Sequence, residues 1–210
     1  MRGSGMPSMV ATPDMQLRLD RHGWLRPAPG SAADITHLPS PNHDARPADA
    51  QVSLLVIHNI SLPPGQFGGP AIAALFTNTL DTRAHPWFAQ LQGLRVSAHF
   101  LIRRDAAIVQ FVATDQRAWH AGASCHAGRE RCNDFSIGIE LEGTDLLPYT
   151  DAQYAALAAL TQTLRQRYPL TAVRGHVHIA PGRKTDPGEA FDWQRYGRAA
   201  GWPRRALPLL

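Results

Sequence analysis

Ser136-Ile-Gly-Ile-Glu-Leu-Glu142 alternates in character with a period of two. Ile137, Ile139 and Leu141 fall on one face and Gly138, Glu140 and Glu142 on the other, which is the pattern of a β-strand. Ser53-Leu-Leu-Val-Ile-His58, a short apolar run with β-branched residues, predicts a second, buried strand. Two more strands are predicted over 97–103 and 107–112, joined by a tight turn at Arg104-Asp105, and a short one near Ala172-Val173. Helices fall between them. Pro70 suits the first turn of a helix through Ala74 and Leu75. Thr150-Asp-Ala-Gln153 has capping-box spacing and opens a helix to about Tyr168, before Pro169. Tyr154, Leu157, Thr161 and Leu164 share one of its faces, with Leu160 beside them. Residues 191–196 predict a last short helix. Interleaved strands and helices predict an α/β class: a single domain with a central mixed β-sheet flanked by helices.

The 210 residues fit one domain, and a hydrophobic share of 44% allows a sizeable core. Residues 1–15, rich in Met, Gly and Pro, read as a disordered leader, leaving 16–210 as the domain. Residues 16–25 predict a short strand or turn carrying Trp24. Residues 26–51 lack periodicity and read as an irregular wrap over the core. A formal charge of +4, with no Lys/Arg run longer than two, does not point to nucleic acid. No run of 18 apolar residues exists, so no membrane span is expected. The N-terminus lacks the apolar stretch of a secretory signal, so the expected compartment is the cytoplasm. Cys125 and Cys132 read as free thiols in a reducing compartment and as a disulfide in an oxidising one. A metal role is the weakest reading of the three, because no C-x-x-C pairing accompanies them.

The chemistry concentrates in residues 175–188, G-H-V-H-I-A-P-G-R-K-T-D-P-G, which hold Lys184, the sole lysine. Pro181, Gly182, Pro187 and Gly188 predict a stiff loop rather than a helix. A strand end opening into such a loop can bring His176 and Asp186 to one site. Zinc in a hydrolytic site takes three nitrogen or oxygen ligands and leaves a fourth position for water. His58, at the C-terminal end of a buried strand, is the candidate third ligand. The competing reading of each histidine is a core imidazole bonded to backbone. No compact H-E-x-x-H motif decides the matter. Glu140 is the candidate base, since a nearby carboxylate can take a proton from an activated water. A solvated sheet face explains Glu140 and Glu142 equally well, and the pattern does not choose between them. Ser124, in G-A-S-C-H, lacks the second glycine of a nucleophile elbow, which argues against a Ser-His-Asp site. Trp119 and His120 could pack on a sugar; the plainer reading is one buried indole and one exposed imidazole.

Six blocks carry a resemblance. They are His58-Asn-Ile-Ser-Leu-Pro-Pro-Gly, Phe67-Gly-Gly, Val96-Ser-Ala-His-Phe-Leu-Ile-Arg-Arg-Asp, Arg117-Ala-Trp-His-Ala-Gly, Arg131-Cys-Asn-Asp-Phe-Ser-Ile-Gly-Ile-Glu-Leu-Glu-Gly-Thr-Asp and Ala180-Pro-Gly-Arg-Lys-Thr-Asp-Pro-Gly. In this order, over about 23–193, the chain resembles the cytoplasmic 1,6-anhydro-N-acetylmuramyl-L-alanine amidases of peptidoglycan recycling. The resemblance implies the amidase/peptidoglycan-recognition-protein fold and a zinc (Zn2+) hydrolase. His58, His176 and Asp186 match its zinc ligands, Glu140 its catalytic carboxylate, and Lys184 the lysine beside the third ligand. Asn59, Arg95, Trp119 and Arg131 match positions that meet substrate. The stretch before Gln16 and His178 are departures.

The implied reaction is hydrolysis of the amide between the lactyl group of anhydro-N-acetylmuramic acid and the L-alanine of a stem peptide. The implied partner is a small anhydromuropeptide, with no nucleic acid or membrane partner, and a monomer is expected. Two alternatives stand beside it. A non-catalytic muropeptide-binding module would lack a ligand or the base, and here all four residues are present. An envelope or phage-type amidase on polymeric peptidoglycan would want a signal or a wall-binding appendage, and neither is seen.

Overall fold

Ser136–Glu142 is a seven-residue strand near the middle of a six-stranded mixed sheet. The computed structural model describes residues 15–209. The expected disordered leader therefore lies, Met15 apart, outside the described residues. In chain order the strands are β1 (Leu17–Leu19), β2 (Leu25–Pro27), β3 (Ile35–His37), β4 (His43–Ala45), β5 (Leu54–Ile60), β6 (Phe100–Ile102), β7 (Ile108–Gln110), β8 (Gln116–Ala118), β9 (Cys125–His126), β10 (Arg129–Glu130), β11 (Ser136–Glu142) and β12 (Ala172–Gly175). The helices are α1 (Ala71–Phe76), α2 (Asp151–Arg167), α3 (His176–Ile179) and α4 (Trp193–Ala200). The sheet runs β12-β5-β11-β6-β7-β3. All neighbours are parallel except the β6–β7 hairpin.

Alternation along the central strands sends two sets of side chains to two covered faces. Leu55, Ile57, Ile137, Ile139 and Leu141 join Leu157, Leu160 and Leu164 of α2 and Tyr196 of α4 in the main core. Each fully buried side chain of this size contributes about 1.5–3 kcal/mol. On the opposite face, Leu54 and Val56 meet Phe135 and Ile179. Leu101 and Val109 meet Ile72, Leu75 and Phe76 of α1. The reading of a solvated second face is thereby corrected, because Glu140 and Glu142 are both buried. Parallel strands in the middle of a sheet are covered on both sides, so polar residues there must find partners or a cavity.

Helix α2 is docked onto the end of β11. The Thr150 hydroxyl accepts from the Gln153 N–H, and the Gln153 carbonyl oxygen accepts from the Thr150 N–H, completing the expected capping box. The Gln153 amide also donates to the Glu142 backbone oxygen at 2.9 Å. The predicted wrap over 26–51 proves more regular than its composition suggested. It contributes β3 as an edge strand beside β7, and β4, which pairs with β8. Three-residue strands are too short to show a period in sequence.

Candidate metal centre

His58 is the fifth residue of β5 and stands on the face that carries Leu54 and Val56. His176 opens α3, directly after β12. Here the expectation of no helix is corrected: residues 176–179 form one helical turn, closed by Ala180 N–H donating to the His176 carbonyl. The prolines and glycines that argued against it all follow that turn. The 181–186 loop then curls back, and Val177 N–H donates to the Asp186 carbonyl at 3.0 Å. The Tyr149 hydroxyl donates to the Pro187 carbonyl at 2.7 Å. Gly188 sits at φ +81° against the Asp145 backbone, where a Cβ would overlap it.

Three ligand-type atoms converge. His58 Nδ1 lies 3.1 Å from His176 Nδ1 and 2.9 Å from Asp186 Oδ2, and His176 Nδ1 lies 3.1 Å from that same oxygen. The outer nitrogens are engaged elsewhere, His58 Nε2 with His120 Nδ1 at 2.9 Å and His176 Nε2 with the Ala121 carbonyl at 3.1 Å. Two imidazole nitrogens and a carboxylate oxygen are donors that zinc takes, and an outer bond on each ring is the arrangement that orients a ligating histidine. The group can hold a metal ion.

Electrostatics separate the two carboxylates. Burial alone would push Asp186 up, but hydrogen bonds from His176 and His58 outweigh it and hold Asp186 below the ordinary range. Glu140 goes the other way: burial, then the nearby Asp186 charge, raise it well above its ordinary value, against a smaller opposing pull from Lys184. Glu140 Oε2 is buried without a hydrogen-bond partner among the described residues. Burial also depresses His58.

A cavity of about 340 Å3 gathers His58, Asn59, Glu140, His176, Lys184 and Asp186 on its lining. Asn59 donates to Asp145 Oδ1 at 2.7 Å, beside a second recess that Lys184 and Asp186 also border. The other residues matched to substrate positions stand outside the central lining. Trp119 is half-buried with its indole N–H on Asp44. Arg95 is exposed beside Leu94 and Val96, which do line the cavity. Arg131 is exposed, paired with Asp134 at 3.4 Å, and borders a shallow recess with Ser124 and Cys125. His178 turns away: its Nδ1 accepts from the Gly175 N–H and its ring packs on Trp193. The reading of Trp119 as buried and His120 as exposed is corrected: His120 is buried and Trp119 only half-buried. Sequence reasoning missed the apolar wall made by Leu75, Phe76, Trp87 and Leu91. Trp87 and Leu91 ride on a 3-10 segment, Pro86–Leu91, whose period gives no amphipathic signal. Cys125 is exposed, Cys132 is buried, and both are free. No helix among the described residues is long and apolar enough to cross a membrane.

A sheet with this order, carrying His58 within the central strand β5, His176 just past the edge strand β12 and Asp186 on the returning loop, all beside a buried glutamate, has the layout of a hydrolase of the amidase class. The sequence model of the N-acetylmuramoyl-L-alanine amidases matches residues 48–189, and the chain belongs to that family. It is 62% identical over 177 residues to the 1,6-anhydro-N-acetylmuramyl-L-alanine amidase AmpD of Enterobacter cloacae, covering 83% of this chain and 91% of that one. The crystal structure of a Se-Met AmpD derivative superposes with a TM-score of 0.80 at 61% identity, over 86% of this chain and 98% of that one. The Escherichia coli amidase AmiD has been solved in complex with the substrate anhydro-N-acetylmuramic acid-L-Ala-D-gamma-Glu-L-Lys. It matches with a TM-score of 0.54 and 26% identity, over 88% of this chain and 65% of that one. The protein is an N-acetylmuramoyl-L-alanine amidase.

Proposed function

We propose that residues 16–210 form a zinc amidase that hydrolyses the amide between the lactyl group of 1,6-anhydro-N-acetylmuramic acid and L-alanine, in the recycling of peptidoglycan. The observation that carries this reading is the triangle of His58 Nδ1, His176 Nδ1 and Asp186 Oδ2 on the wall of a cavity shared with Glu140 and Lys184. The AmpD relative named for this activity and the AmiD complex with an anhydromuropeptide support the substrate class. The cytoplasmic assignment belongs to the same proposal and rests on the resemblance.

His58, His176 and Asp186 are the proposed ligands. Zinc bound there supplies Lewis acidity toward the scissile carbonyl and the attacking water. Glu140 takes the proton of that water and passes it to the departing amine; its buried, unpartnered oxygen and raised basicity suit both halves of the task. Lys184, on the lining of both recesses, is placed to offset the charge that develops on the carbonyl oxygen. Asn59 and the apolar wall hold and orient the substrate.

The test is mass spectrometry of products from a defined anhydromuropeptide and from intact sacculus, with and without chelator, beside zinc analysis of His58→Ala and Asp186→Ala. Chelator-sensitive release of the stem peptide from the anhydromuropeptide, and loss of zinc in both variants, are expected. Preference for sacculus would move the assignment to a wall-acting amidase. Stoichiometric zinc in either variant would remove that residue from the ligand set.

A further inference from the structure

Behind His58 runs a chain of hydrogen bonds whose direction is fixed at its far end. The Cys132 carbonyl can only accept, so the Ser136 hydroxyl, 2.5 Å away, donates to it. Ser136 Oγ then offers lone pairs to His120 Nε2 at 3.2 Å, which makes that nitrogen the N–H of the ring. In a neutral imidazole the other nitrogen, His120 Nδ1, is bare and accepts. Its partner at 2.9 Å is His58 Nε2, which must therefore carry the proton. What remains is His58 Nδ1, deprotonated and aimed at His176 and Asp186.

The His120 ring is held for this role. It lies flat against Gly138, where a Cβ would come within 2.4–2.7 Å of three ring atoms. Only a glycine on the inner strand leaves that seat open. His58 and His99 approach edge-on, with ring centroids 5.1 and 5.8 Å away. The backbone is fixed as well, since Asn133 Oδ1 accepts from the N–H groups of both His120 and Ala121. A residue that merely filled space would need neither Ser136 nor a specified tautomer.

We propose that His120, oriented by Ser136, is a positioning residue of the centre: it fixes His58 in the tautomer that presents Nδ1 to the metal. The proposal rests on the metal reading given above. Outer partners of ligating histidines typically carry roughly ten- to a hundredfold in metal affinity. His120→Leu removes the acceptor and keeps most of the volume. His120→Asn returns an acceptor oxygen close to the position of Nδ1. Ser136→Ala releases the far end.

Zinc dissociation constants are to be measured for the full chain by competition with a chromophoric chelator. Long-range 1H–15N correlation of the zinc-loaded protein assigns the histidine tautomers. Expected are a ten- to hundredfold loss in His120→Leu, recovery of most of it in His120→Asn, a smaller loss in Ser136→Ala, and Nε2–H tautomers for both His58 and His120. The proposal is overturned by wild-type affinity in His120→Leu, by equal losses in the leucine and asparagine variants, or by an Nδ1–H tautomer at His120. Should His120→Leu fail to fold, unchanged affinity in Ser136→Ala or the wrong wild-type tautomer overturns it just the same. A wild-type protein that binds no zinc defeats the metal reading itself, and is told apart because no variant enters that measurement.

Discussion

Glu140 stands directly across the parallel β5–β11 pair from His58, so one step of strand register sets a carboxylate beside a candidate ligand. Two residues on, Glu142 pairs with Ile60 and does other work. Its oxygens accept from the Gly68 and Arg104 N–H groups and meet the Arg103 guanidinium. Glu140→Gln should therefore keep zinc yet lower turnover by roughly a hundred- to ten-thousand-fold. Glu142→Gln should cost on the order of 1–3 kcal/mol in chemical unfolding while kcat stays close to wild type. A larger loss of kcat in the Glu142 variant would mean that the base has been misassigned.

Gly138→Ala drives a methyl group into the His120 ring. Overpacking of this kind costs about 1–3 kcal/mol, and the displaced ring should weaken zinc binding in step. Gly69→Ala is the control, since a Cβ there meets nothing within 4 Å. Equal stability of the two alanine variants would contradict the close contact.

Lys184 is the single lysine in a chain whose other fixed cations are arginines. An ammonium is a compact point charge that can also give up a proton, and a guanidinium is neither. Lys184→Arg should depress kcat sharply with zinc content and KM nearly unchanged. Lys184→Ala should cost on the order of 3 kcal/mol of transition-state stabilisation. Near wild-type kcat in the arginine variant would show that positive charge alone suffices.

Arg95 and Arg131 carry little of the fold. Arg95 has no side-chain partner among the described residues, and Arg131, 70% exposed, makes only a loose pair with Asp134. Exposed pairs contribute about 0–1 kcal/mol. Alanine at either position should leave the unfolding midpoint unchanged. If these arginines grip the stem peptide, KM rises and kcat does not; an unchanged KM would take them out of the substrate site.

Asp44 lies below its ordinary value of 3.8, first because Arg117 hydrogen-bonds it, with Trp119 adding a second bond. A depressed carboxylate stabilises fully above its unfolded value and loses that contribution as pH falls through the folded one. Wild type and Asp44→Asn should therefore differ at neutral pH and draw together as pH falls below the ordinary value of 3.8 and through the folded one. The gap is modest, because Asp44 is 43% exposed and screened by solvent. Stability curves that stay parallel throughout the acid unfolding range would exclude the effect.

The central strands, helix α2 with its cap, and the three ligand candidates were legible because each leaves a local mark. β-Branched runs, a Thr-x-x-Gln box and paired His and Asp at a strand exit are such marks. Glu140 could not be told from Glu142 by alternation, since both faces of β11 are buried and the difference lies in what each oxygen meets. β3 and β4 were invisible because three residues show no period and their pairing partners lie more than 70 positions away. His120 read as ordinary because its meaning depends on Gly138 and Ser136, which only the packed sheet brings to it.

Arg46 sits on the wrap that precedes the central strands, its guanidinium half-buried and pushed down to about 10 by that burial. It donates to the carbonyls of Thr114, Asn133, Asp134 and Ser136 and touches His99. Two of those carbonyls belong to Asn133 and Ser136, the residues that hold His120. The segment recognised as the family's own begins at residue 48 and ends at 189, so it leaves out Arg46, β1 to β4 and the whole of α4. A fragment cut to those limits would keep every ligand and forfeit the bracket beneath them. In swapping or trimming experiments with its relatives, the exchangeable module should start before β1 and run past α4, so that the foundation travels with the site.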